Sequence, residues 1–70
     1  MKFTPGQSVF VYHMGLWWFG EVTQEEGPFD GPSGQVFYWV VRVAGLDHPL
    51  RALNTYLRSQ EEHTMLTLTQ

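Results

Sequence analysis

The sequence predicts an all-β protein: a small antiparallel barrel or curled sheet of about five strands, with one short helical turn left open near 50–58. Three observations carry this. β-branched and aromatic residues gather into short runs, the signature of strands. Glycine and proline fall between those runs, where turns are needed. At 70 residues, with 43% hydrophobic and only 16% charged side chains, the chain has room for one domain and is too apolar for disorder.

Thr4-Pro5-Gly6 reads as a turn. Ser8 to Met14 follows as the first strand, and Gly15 breaks it. Leu16 to Gln24 is the second strand, so the break between the two must be a tight hairpin. Gly20 inside that strand predicts a bulge or a close backbone approach. Glu25 to Gly34, with its glycines and prolines, reads as a mobile loop. Gln35 to Ala44 is the strongest strand, and Gly45 to Pro49 turns the chain again. Leu50 to Arg58 fits two readings: a helix started by Pro49, or a short strand followed by one 3-10 turn. The tail from His63 to Thr69 ends in apolar/Thr alternation and reads as a last strand. The expected core is Val9, Val11, Val22, Phe37, Trp39, Val41, Leu53 and Leu66.

A strand with one wet face should be polar on that face. Here both faces are apolar. Val9 and Val11 oppose Phe10, Tyr12 and Met14; Trp17 and Phe19 oppose Leu16, Trp18 and Val22; Phe37, Trp39, Val41 and Val43 oppose Tyr38 and Val40. One small barrel has one interior, so a second buried surface is expected. A domain below ~70–80 residues also needs burial beyond a single core, or a staple. The chain has no cysteine and therefore no disulfide. It does carry three tryptophans, three tyrosines and five phenylalanines, and association with other copies is a further remedy.

Gly6-Gln7-Ser8-Val9-Phe10-Val11 followed by Leu16-Trp17-Trp18-Phe19-Gly20-Glu21-Val22 resembles the opening of the Tudor/chromo/PWWP group of SH3-like barrels. The likeness covers the first half of the chain and implies an SH3-like (Tudor-like) fold. Members of that group hold methylated lysine or arginine in a cage of aromatic rings, through cation–π attraction. The resemblance implies Phe10 and Trp18 as cage walls. The next wall of the family falls at Val43-Ala44-Gly45, which has no ring, and Tyr12 or Phe37 would have to substitute. A fainter likeness, Trp18-Phe19-Gly20-Glu21-Val22 with Tyr38-Trp39-Val40, points to the type II dihydrofolate reductases, short SH3-like chains that act as tetramers around a pore. The pore motif of that family is replaced here by Leu50-Arg51-Ala52-Leu53.

The sequence shows no catalytic constellation. Asp47-His48 and Glu61-Glu62-His63 lack the spacing of a metal site, Glu25-Glu26 reads as a solvated pair, and no serine sits in a nucleophile elbow. No catalytic residue, metal or cofactor is assigned. The net charge of −3 argues against an ordinary nucleic-acid binder, although Arg42 beside Tyr38 and Val40 offers a small stacking patch for single strands. No apolar run approaches the ~20 residues that span a bilayer. A chain opening at Met1 without a signal peptide is expected to be a complete cytoplasmic protein. The expected function is a non-catalytic protein-binding or assembly module, self-associating or docking a peptide through an aromatic face. The candidate binding residues are Phe10, Tyr12, Trp17, Trp18, Tyr38 and Arg42. A pore-type oligomeric enzyme and single-stranded nucleic-acid binding are the alternatives.

Overall fold

A computed structural model of the chain describes residues 3–68. Five strands form one antiparallel sheet: β1 (Ser8–His13), β2 (Leu16–Gly31), β3 (Gly34–Val43), β4 (Leu50–Ala52) and β5 (Leu57–Ser59), in the spatial order β4-β3-β2-β1-β5. A 3-10 turn over Asn54–Tyr56 connects β4 to β5, and a helix, α1 (Gln60–Leu68), closes the described chain. The all-β expectation holds. For 50–58 the strand-then-turn reading is the correct one.

The β1–β2 hairpin closes through Met14 and Gly15, both at positive φ, as a two-residue type I′ turn requires. Gly20 sits mid-sheet, paired with Val9 on one side and Val43 on the other. A Cβ there would lie 2.7 Å from the Arg42 carbonyl oxygen, which is the close backbone approach the sequence predicts. β2 then continues beyond Gln24. The segment expected as a loop from Glu25 onward is the outer half of a long β2–β3 hairpin that turns at Pro32-Ser33. Two register shifts make this possible. One sits between Val22 and Gln24; the other sits between Glu26 and Phe29 and takes up Gly27 and Pro28. A proline at a bulge need not donate to the ladder, so it does not end the strand.

The inner face carries the core: Val9 and Val11 of β1, Val22 of β2, Trp39, Val41 and Val43 of β3, Leu50 and Ala52 of β4, and Leu57 of β5, with Phe3 packed beneath. Phe3 meets the Trp39 ring edge-on at a centroid distance of 5.8 Å. It is held there by the N-terminal turn, which hydrogen-bonds to β2 through Gly6 N–H to Val22 O and Val22 N–H to Gln7 O. Three expected core residues lie elsewhere. Phe37 shares the Trp39 face by alternation but sits in the outer hairpin, past the last β4 partner, and is 45% exposed. Leu53 is only half-buried at the rim, and Leu66 is on the exposed helix.

Of the tail expected as a strand, Thr69 lies outside the described residues and residues 63–68 are helical, in α1. Its start is a reciprocal capping box: the Glu62 N–H donates to Ser59 Oγ at 3.0 Å, and the Ser59 N–H donates to Glu62 Oε1 at 3.3 Å. Two orphan amides are satisfied at once, which outweighs the local alternation of Thr and Leu. Thr67, which belongs to that alternation, and Thr64 before it turn their hydroxyls back to the His63 and Gln60 carbonyls.

Candidate functional site

The β1–β2 register decides which aromatic residues share a surface. Phe10 lies opposite Phe19, Tyr12 opposite Trp17, and Val11 opposite Trp18. The outer face therefore carries Phe10, Tyr12, Trp17 and Phe19. Trp18 belongs to the inner face with Val11, packs against the core, and donates its indole N–H to the His13 carbonyl at 3.0 Å. The expected grouping of Trp18 with Phe10 and Tyr12 is thus off by one residue of register, which in a strand means the opposite face. Phe10 and Trp18 cannot flank one cation, so the cage carried over from the resemblance is not assembled from them.

Part of the outer face is covered from within the chain. His63 of α1 stacks on Phe10 with ring centroids 3.9 Å apart and planes 17° from parallel. It also meets Trp17 at 5.8 Å, and the Arg58 guanidinium of β5 lies 4.0 Å over the Trp17 ring. Arg58 Nη1 comes within 3.4 Å of His63 Nδ1. The chain's own Arg58 thus lies over an aromatic face, an internal cation–π contact. This helix-borne cover accounts for some of the second apolar face that the alternation reveals.

Beyond that cover the aromatic row opens into a cleft of about 380 Å³. It lies between the β1–β2 turn, the outer part of β3, β4 and the 3-10 turn. Tyr12, Tyr38 and Tyr56 line it, with Met14, Leu53 and Arg51 beside them. Tyr12 stands on β1 next to Trp17 and Tyr56 on the 3-10 turn; the Tyr12 and Tyr56 rings run nearly parallel at 6.5 Å. Tyr38 stands on β3 and meets Phe29 at 5.7 Å. The 3-10 turn is anchored from the core: the Trp39 indole N–H donates to Asn54 Oδ1 at 2.6 Å. Tyr56 was not singled out by sequence. The segment Leu50 to Arg58 has two helical or strand readings, and only the turn geometry brings that ring to Tyr12.

One ion pair borders the cleft. Arg51 Nε donates to Glu26 Oε1 at 2.6 Å across the sheet. That hydrogen bond and the guanidinium charge hold the Glu26 carboxyl below the ordinary carboxylate range and raise Arg51. Arg42 lies apart from the cleft and pairs with Glu21 at 3.4 Å, both side chains well exposed. It is engaged there rather than stacked with Tyr38. Asp47 and His48 form an exposed pair at 2.8 Å, and the Asp47 carboxyl is lowered by its hydrogen bond to the imidazole. Among the described residues no group of three His, Asp or Glu side chains is placed to hold a metal ion.

Of the six sequence-predicted site residues, then, Tyr12 and Tyr38 meet in one cleft. Phe10 and Trp17 continue the surface from Tyr12, while Trp18 and Arg42 lie elsewhere. No helix of the described residues is long and apolar enough to cross a membrane. No known protein family, curated protein or solved structure matches the chain.

Proposed function

We propose that the chain is a non-catalytic docking module that takes an extended, apolar peptide segment into the tyrosine cleft. The observation that carries this reading is the meeting of Tyr12, Tyr38 and Tyr56, from three separate elements, around one open cleft. Tyrosine offers a rigid apolar ring with few rotors to freeze and a hydroxyl at its tip. A polyproline II segment suits such a surface. Its rings and methylenes lie between the aromatic side chains, its free carbonyls accept from the hydroxyls, and it enters already extended. The strand order, in which four strands meander and the fifth returns beside the first, supports an SH3-like barrel as the fold behind the cleft.

The test is a titration of the labelled protein with proline-rich and with charged extended peptides, followed by amide chemical shifts. The proline-rich peptide should perturb residues 12–14, 38 and 50–56. Tyr56→Ala should weaken binding at least tenfold, with Arg42→Ala unchanged. Shifts confined to another surface, or none with either peptide, refute the reading.

A further inference from the structure

The β2–β3 hairpin outgrows the sheet. β1 stops pairing with β2 at Ser8–Glu21, and β4 pairs with β3 only over Trp39–Val41. What remains, Glu26–Gly31 against Gly34–Tyr38, is a two-stranded arm, and a ribbon of that kind is marginal in water unless a third strand joins it. Its faces carry half-exposed rings: Phe29 is 47% and Phe37 is 45% exposed.

The two edges of this arm differ. The β2 edge is guarded by Glu26, Asp30 and Pro28, with Glu25 at the base of the arm, the residue types that keep an exposed edge from pairing. The β3 edge, Gly34-Gln35-Val36-Phe37-Tyr38, has no charge and no proline. Among the described residues no backbone hydrogen bond reaches Gly34–Phe37 from outside the ladder with β2. A strand that pairs with a copy of itself must tolerate its own side chains opposite. The β2 edge would set carboxylates against carboxylates, whereas the β3 edge sets glutamine, valine and phenylalanine against one another.

We propose that two copies of this chain pair antiparallel along the outer edges of β3, within residues 34–37 and about one residue that faces its own counterpart, joining their arms into one four-stranded ribbon across a two-fold axis. The contact is isologous and closes after two copies. It uses few residues, so the dimer belongs at the weak, concentration-dependent end of interfaces. Val36 and Phe37, on opposite faces of the strand, each gain a cross-axis neighbour. The pairing stops short of Tyr38, the residue of this edge that lines the tyrosine cleft.

The chain has no cysteine, so single introduced cysteines report contacts without background. Sedimentation equilibrium of the unmodified protein from micromolar to millimolar concentration should show a reversible monomer–dimer equilibrium. Cysteines placed one at a time at 34, 35, 36 and 37, with Glu25→Cys and Phe10→Cys as references, are then oxidised mildly at a concentration where dimer is present. Near-UV circular dichroism checks the fold of each. Disulfides form only where Cα atoms approach within about 4.4–6.8 Å, so cross-linking should peak several-fold at the one β3 position that faces its own copy. A monomer at every concentration overturns the proposal. So does a dimer that cross-links as well through Glu25→Cys or Phe10→Cys as through the β3 edge.

Discussion

Gly20→Ala tests how tightly the sheet is folded on itself, because two effects of opposite sign compete there. Glycine inside a strand is destabilising by about 0.5–1 kcal/mol relative to alanine, on conformational entropy alone. By that term the substitution should help. The added Cβ, however, would stand 2.7 Å from the Arg42 carbonyl oxygen, 2.8 Å from Val41 Cγ1 and 3.2 Å from Val43 Cγ2. The carbonyl belongs to β3, an interior strand of the sheet, and Val41 is fully buried, so neither neighbour can swing aside. Overpacking of this kind costs about 1–3 kcal/mol. Sterics win, and the net loss should be about 1–2 kcal/mol, or a fall in Tm of about 4–16 °C for a domain of this size. Gly45→Ala is the internal control: its Cβ would meet only the Trp18 ring, at an ordinary 3.6 Å, so stability should hold or rise by up to about 1 kcal/mol. Urea unfolding followed by tryptophan fluorescence reads both, with an unchanged slope showing that the denatured state is not at issue. A Gly20→Ala protein as stable as the parent, or a Gly45→Ala protein that loses more, would refute the packing described here.

The Trp17-Trp18 doublet should split sharply. Trp18→Ala removes an inner-face indole, approaching the about 3–5 kcal/mol of a buried tryptophan, which matches the whole stability of many domains this small; circular dichroism should report a largely unfolded chain. Trp17→Ala gives up the Arg58 and Tyr12 contacts, worth about 1–2 kcal/mol together, and should stay folded. Asn54→Ala strands the Trp39 indole N–H at a cost of about 1–3 kcal/mol in denaturant unfolding, and should weaken peptide binding by loosening the turn that carries Tyr56. The Glu26 carboxyl titrates lower in the folded than in the unfolded chain. Its contribution to stability is therefore complete above the ordinary carboxylate range and is lost as pH falls through the depressed folded value. Parent and Glu26→Gln should accordingly differ in stability at neutral pH and converge in acid; a constant difference across that range would contradict the Arg51 pairing.

The first half of the fold was legible because its signals are local. Residue-by-residue alternation places Val9 and Val11 against Phe10 and Tyr12, and Gly15 announces the hairpin. What alternation cannot supply is a change of phase. The register shift at Thr23 and the one around Gly27-Pro28 let β2 run on where composition reads as loop, and they carried Phe37 outside the core. The tail was misread because Thr67 and Leu68 mimic a strand period, while the stronger signal, Ser59 followed three residues later by Glu62, lay just upstream. Phe3 left no periodic trace at all; it is placed by hydrogen bonds between the N-terminal turn and β2. Within the candidate site, Tyr12 could be assigned to a face because its strand is regular. Trp18 was displaced by a single residue of register, and Tyr56 depended on a turn whose sequence fits a helix as well as a strand followed by a 3-10 turn.

The pairing of β1 with β5 also governs how the chain acquires its structure. β1 finds β2 at once across a two-residue turn, but Val9 must wait for Ser59 before its other edge is satisfied. Contacts between such distant segments are closed late and against chain entropy, so folding belongs to the slower millisecond-to-second class of β domains. During synthesis the same geometry leaves β1 open on one side until β5 has emerged. Its alternating valines are then most in need of shelter from other nascent chains.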